Sequence, residues 1–536
     1  MSNNVLALRF LSLCAVLALI AGLAVQAPAK AVQADKLIVD YTVKVGNING
    51  HLFHVTADIK NIEQPRLDLS LPTWTPGWYT IENYAKNILR FQITDAKGNV
   101  LHHTMVRKQT WRVNTSGLHE IRAEFDYYAN ILSLNTAKIT PDFAFFTGTE
   151  IFLMPDGHRN TPSTVTLQLP DGWKVETALK STSDPMKFTA PDYDTLVDSP
   201  TEMGHFDVTR FEVEGKQHTL VVTPSGSLKK ADTDEFTKML AAIAATDSKM
   251  FGGLPYEKYT YFYFFAPAES NASGALEHLS SHVTFAPPSG FATPARLAST
   301  AAHEYFHLWN VKRIRPVEMW PYEYYREDET PLLWVSEGFT NYYGNISRYR
   351  AGLIEKAQFV DTVAQAITGV EDNDARKYIP PAESSVSTWL GYDSPVEFSI
   401  SYYTQGQNLG ALLDLSILHD TKGEKGLDDV MRALYHDFYM NGKGFSTEDM
   451  IGVINKLTGR DYHDFFSKYV EWVDVPPYDA ILGYAGYKAE AESRMQPSLG
   501  MRLRGSSDGV AVEAVDGGSP AAKAGIQRGD TIVSID

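Results

Sequence analysis

The sequence predicts a multidomain α+β protein: an N-terminal antiparallel β domain, a mainly helical middle domain and a short C-terminal β domain. Three observations lead there. From about residue 36 to 225, apolar and polar side chains alternate in short runs punctuated by Pro, Gly and Asn. From about 226 the apolar residues recur at helical spacing instead. The stretch Val473-Asp474-Val475-Pro476-Pro477 then reads as a linker to a further strand-bearing tail. At 536 residues the chain exceeds one ordinary domain, and 44% hydrophobic residues supply substantial cores.

The first element is an export signal. Arg9 precedes the apolar run Phe10 to Val25, and small residues follow from Ala27 to Ala34. That run is short for a membrane span. Ala29-Lys30-Ala31 offers a cleavage site, with Val32-Gln33-Ala34 as a second option, so residues 1–31 are expected to be removed. The expectation is an exported bacterial protein, periplasmic or secreted, with no stable membrane anchor after cleavage. The single cysteine, Cys14, falls inside this segment. The mature chain would have neither disulfides nor thiolate ligands, and any metal site must come from His and carboxylate. A net charge of −17 argues against a nucleic-acid partner.

In the β domain, 36–225, strands are predicted at Lys36 to Val45, His51 to Lys60, Leu67 to Leu71, His119 to Tyr128, Thr164 to Leu169 and Thr219 to Thr223. The middle domain, 226–475, begins with a helix from Asp232 to Phe251, stopped by Gly252-Gly253, and a short aromatic strand at Tyr259 to Phe265. Further helices are expected near 355–370, 405–419, 427–439, 446–457 and 462–472.

The chemistry sits between these. Thr293 suits a helix N-cap and Pro294 the first helical position. The helix they open leads into His303-Glu304-Tyr305-Phe306-His307. His303 and His307 then share one face a turn apart and can hold one zinc ion, with Glu304 placed to act on bound water. A catalytic zinc wants a third protein ligand. Glu337 is the candidate, a carboxylate in the apolar helical stretch Leu333 to Tyr343, where burial without a partner would be costly. Pairing with a buried Arg or Lys is the alternative. Asn341, one turn on, could serve a ligating histidine from behind, or simply lie on the helix surface. The constellation points to a metallopeptidase.

Two further segments carry resemblances. Gly274-Ala275-Leu276-Glu277-His278 resembles the G-x-M-E-N segment of the aminopeptidase N family, departing at Leu276 and His278. The resemblance implies that Gly274 and Glu277 bind substrate, with Glu277 on the free α-amine. Tyr402-Tyr403-Thr404-Gln405-Gly406 resembles the Tyr-x-x-Gly segment of that clan. Alignment on Gly406 selects Tyr403 as the catalytic tyrosine, with Tyr402 as the alternative. In the tail, 490–536, Ser498 to Arg502 and Ser519 to Asp536 resemble the carboxylate-binding loop and core of a PDZ domain. Such a domain implies binding of a peptide C-terminus. The chain stops in mid-strand for that fold, so this domain is expected to be incomplete.

With Leu71-Pro72-Thr73-Trp74-Thr75-Pro76-Gly77-Trp78-Tyr79 in the β domain, these segments keep the order of the glycyl aminopeptidase family, and the chain resembles that family. The resemblance implies a thermolysin-like catalytic domain, one Zn2+ and peptide substrates with a free N-terminus, Gly or Ala preferred. It also implies catalysis by Glu304 and Tyr403. Two other readings compete: a thermolysin-type endopeptidase, and a non-catalytic PDZ-based envelope adaptor with a structural zinc.

Overall fold

The computed structural model describes residues 37–265, 274–288, 292–390, 399–491, 498–506 and 509–534; the expected signal segment 1–31 lies outside them. The alternation in the first strand, Ile38–Asn47, works as the sequence suggests. Val39, Tyr41, Val43 and Val45 turn inward and Ile38 and Lys44 outward. This strand is central in a seven-stranded sheet. It pairs antiparallel with Leu52–Lys60 but parallel with Ser163–Gln168, so the sheet is mixed rather than wholly antiparallel. More than a hundred residues separate those parallel partners, which is ample for a crossover. Two four-stranded sheets complete this domain.

The boundary expected at 225 does not follow the hydrogen bonding. Asp207–Val213 and Lys216–Thr223 belong to a five-stranded sheet with Lys258–Phe265, Ser281–Ala286 and Gly274–His278. Alternation identifies a strand but not the sheet it joins, because pairing is a long-range choice. The helix Lys230–Phe251 is the crossover that lets Lys216–Thr223 and Lys258–Phe265 run parallel, and it ends at Gly252 with φ 82°. Lys258–Phe265 is central and covered on both faces, hence its unbroken aromatic run. Gly274–His278 closes the strand order, antiparallel to Ser281–Ala286.

Lys356–Glu371, Tyr402–Asp420, Thr447–Thr458 and His463–Tyr469 are helices where the spacing places them. The end expected at 475 falls short of the packing. A further helix, Tyr478–Gly483, lies on Tyr402–Asp420. The Tyr478 hydroxyl donates to Glu371 Oε1 at 2.9 Å and accepts from Asn408 Nδ2 at 3.0 Å. The tail pairs Met501–Ser506, Gly509–Val515 and Thr531–Ile532 antiparallel, with the short helix Pro520–Lys523. Among the described residues no helix is long and apolar enough to cross a membrane.

Two cores interlock. Val311, Met319, Tyr322, Tyr324 and Leu333 come from the middle of the chain yet pack into the core of the N-terminal β domain. The β domain is therefore a wall of the catalytic half rather than an appendage.

Inside the catalytic half, Asp247 is buried and accepts a hydrogen bond from the Ser347 hydroxyl across two packed helices. Burial pushes its carboxyl up to about 7. The unfolded carboxyl titrates near 3.8, so between these values the folded state holds the proton more tightly. This group's contribution to stability is complete below about pH 4 and is lost as pH rises to about 7. Asp247→Asn keeps the acceptor and removes the charge. Thermal unfolding of the metal-free variant from pH 4 to 7 should show a shallower loss of stability than the parent chain.

Candidate metal centre and substrate site

The helix Pro294–Phe306 opens with Pro294 in its first turn after the N-cap Thr293, whose side chain makes no capping bond. It ends at Phe306, with His307 as its C-cap. His303 and His307 meet with ring planes at 86° and Nε2 atoms 2.9 Å apart. The reason His307 points its Nε2 inward lies at its other nitrogen. Nδ1 donates to the backbone carbonyl of Asn310 at 2.6 Å, which turns Nε2 towards the centre.

Glu337 arrives from a separate stretch, Trp334–Phe339, wound as a π-helix and running on into the α-helix Thr340–Arg350. The Asn310 side chain bonds two carbonyls of this stretch, Val335 O at 2.9 Å and Ser336 O at 3.2 Å. One residue thus ties the histidine pair to the Glu337 stretch. Glu337 Oε2 stands 3.1 Å from His307 Nε2 and 3.6 Å from His303 Nε2. Glu277, Glu304 and His307 form a second, overlapping group with ligand atoms within 4.8 Å of one another.

Three carboxylates are therefore buried together. Burial pushes Glu304 well above the ordinary carboxylate range, with Glu277 and Glu337 adding to it and His307 opposing. Burial raises Glu277 likewise. For Glu337 burial also works upward, but His307 and His303 outweigh it and hold the group ionised. Burial alone would lower His307; Glu337 and Glu277 overcome it and push the imidazole up to about 10. The centre draws positive charge. Glu337 Oε2, Glu304 Oε2 and Glu277 Oε1 are buried without a hydrogen-bond partner. Converging imidazole nitrogens, orphaned carboxylate oxygens and surplus negative charge together fit a divalent metal ion, which would displace the His307 proton.

The remaining predicted residues fall as follows. Glu277 is buried on the strand Gly274–His278, beside His307 and Glu337. Gly274 begins that strand, exposed, with φ 108°, and offers only backbone. Tyr403 sits in the first turn of Tyr402–Asp420 and stacks on His303 with ring centroids 6.0 Å apart. Tyr402 lies alongside, its hydroxyl bonded to Thr388 at 3.2 Å. Asn341 stands beside His303 and favours its charged form.

Besides Asn310, four residues of the site were not singled out by sequence reasoning. The Tyr79 hydroxyl donates to Glu337 Oε1 at 3.0 Å. Gly77, at φ 102°, is packed so tightly that a Cβ there would lie 2.6 Å from Glu277 Oε1. Asp198 accepts from His278 Nδ1 at 2.8 Å, from the Leu279 backbone N–H at 2.8 Å and from Lys312 Nζ at 3.1 Å. Lys312 also donates to the Pro76 carbonyl at 3.2 Å. Burial would raise Asp198, yet Lys312 and His278 hold its carboxyl below the ordinary value. The signal for Tyr79 and Gly77 lay in the Leu71–Tyr79 stretch, read only as part of a resemblance. Asp198 and Lys312 carry no local signal.

Two histidines and a carboxylate brought together in a mainly helical half, walled by a β domain and followed by a PDZ-like tail, define the class: a metallopeptidase. The comparisons agree. Residues 40–205 match the Peptidase M61 N-terminal domain, 296–409 the M61 glycyl aminopeptidase and 511–536 a PDZ domain. The two M61 matches together take in more than half of the chain, which belongs to the M61 glycyl aminopeptidase family and is a metallo-aminopeptidase. A crystal structure of an aminopeptidase N family protein from Idiomarina loihiensis is similar over 93% of this chain and 89% of its own, at 26% identity and TM-score 0.84. An M1 zinc metallopeptidase from Deinococcus radiodurans shares the fold at 15% identity and TM-score 0.50, over 83% of this chain and 96% of its own. A mutant of that enzyme holding a Tyr-Ser-Ala substrate is similar at 15% identity and TM-score 0.52, over 82% of this chain and 95% of its own. No curated protein sequence matches the chain.

The approach of the helix Tyr402–Asp420 to the Glu337 stretch depends on two glycines in contact. A Cβ on Gly406 would lie 1.9 Å from the Trp334 carbonyl oxygen, and one on Gly338 would lie 2.3 Å from Gly406 Cα. Gly406→Ala should force the two segments apart and lower unfolding stability by about 1–3 kcal/mol. Urea unfolding measures it, and an unchanged midpoint would contradict the contact.

Proposed function

We propose that the chain is an exported zinc-dependent aminopeptidase that releases N-terminal residues, glycine and alanine preferred, with Glu304 as general base. The observation that carries the reading is the convergence of His303, His307 and Glu337 beside a buried Glu277 whose carboxylate oxygens lie against Gly77. Zinc is favoured over other divalent ions by a donor set of two imidazoles and one carboxylate. Bound there, it would supply Lewis acidity and bring a coordinated water towards a pKa of about 7.

The chain's own groups do the rest. Glu277 pairs with the substrate's α-ammonium and so sets where the peptide begins. Glu304 accepts a proton from the attacking water and delivers it to the leaving amine. The Tyr403 hydroxyl donates to the scissile carbonyl oxygen as negative charge gathers on it. The glycine and alanine preference is supported by the family assignment. The apolar run Phe10 to Val25 supports export to the periplasm or beyond. The tail is proposed to take a peptide C-terminus on backbone N–H groups near Gly500.

Two experiments test this. Glycyl, alanyl and leucyl peptides should be cleaved in falling order, and their N-acetylated copies should not be cleaved. Equal cleavage of free and acetylated peptides would make the enzyme an endopeptidase. Glu304→Gln should retain zinc while kcat falls by about 10²–10⁴-fold; turnover in the zinc-loaded variant would remove Glu304 as the base.

A further inference from the structure

The Thr75–Tyr79 turn belongs to the β domain, yet it touches two of the three carboxylates on which the proposed chemistry depends. Gly77 presses on Glu277. Tyr79, buried to 7% exposure, reaches Glu337 Oε1 at 3.0 Å. The two oxygens of Glu337 are thereby divided. Oε2 faces both imidazole Nε2 atoms, while Oε1 is taken by the Tyr79 hydroxyl. A carboxylate held in this way presents one defined oxygen to a metal and cannot rotate freely to offer the other.

The turn is built to hold that hydroxyl in place. The Trp78 N–H donates to the Thr75 carbonyl at 2.9 Å. The Thr75 hydroxyl is bonded to Tyr84 at 2.7 Å and to Thr149 at 2.6 Å. From the catalytic half, Lys312 Nζ donates to the Pro76 carbonyl, and the Tyr324 and Glu323 carbonyls accept from Thr73 N and Trp74 Nε1 at 2.8 and 2.9 Å. The Tyr79 ring itself packs edge-on against Trp389, with centroids 5.9 Å apart.

We infer that Tyr79, donated by the N-terminal β domain, is a positioning residue that orients the metal ligand Glu337, so that the metal site is complete only when that domain is docked. Outer partners of this kind are worth about 10–100-fold in metal affinity. The inference rests on the proposed role of Glu337 as a ligand and extends it to a residue 258 positions away in the chain.

The test uses the full chain with zinc, titrated against a competing chelator, with Tyr79→Phe and Glu337→Gln beside the parent. Tyr79→Phe keeps the ring and its packing and removes only the donor. The expected result is a zinc affinity about 10–100-fold weaker in Tyr79→Phe, with the melting temperature of the metal-free protein unchanged. An affinity within twofold of the parent would overturn the inference while leaving Glu337 as a ligand, provided Glu337→Gln loses zinc. A loss of affinity matched by an equal loss of metal-free stability would overturn it too, since that marks a packing role. If Glu337→Gln binds zinc as the parent does, the ligand assignment falls and takes this inference with it.

Discussion

The burial of Glu277, Glu304 and Glu337 within reach of one another is the constraint that the surrounding structure serves. Carboxylates of one sign in a dry space repel and cannot all stay ionised without positive charge among them. Lys312, whose charge acts on Glu277 and Glu304, is already engaged with Asp198. His307 is driven towards its charged form for the same reason. A centre that pulls so strongly on protons is one from which a divalent cation can displace them. Metal affinity and the poise of Glu304 are two expressions of one electrostatic arrangement.

Holding such a cluster together requires elements that would separate if each followed its own preference. Asn310 is the link between them. Its backbone carbonyl orients His307 and its side chain bonds two carbonyls of the π-helical stretch that carries Glu337. The glycine contact between Gly338 and Gly406 then admits the helix that carries Tyr403. Local irregularity and small residues are found where the functional groups must come closest.

The β domain is part of the same arrangement. Asp198 ties Lys312 to the strand bearing Glu277, and Tyr322, Tyr324 and Leu333 fill the β-domain core from the catalytic side. Undocking would break a buried ion pair and expose both cores, so the two halves act as one body around the centre. Among the described residues the PDZ-like tail contributes none of these contacts.

Local information was enough for much of this. The i, i+4 spacing of His303 and His307 is a helical property, and Glu337 stood out because a carboxylate in an apolar helix needs a partner. Helix ends such as Gly252 were legible because φ near 80° suits glycine alone. The strand Ile38–Asn47 was legible from its alternation and Lys258–Phe265 from its unbroken aromatic run. Tertiary structure alone decided that Asp207–Thr223 joins the catalytic sheet, that Tyr79 meets Glu337 and that Asp198 meets Lys312 and His278. Each of those choices pairs residues far apart in the chain, and neither periodicity nor motif spacing carries information about which distant surface a side chain will face.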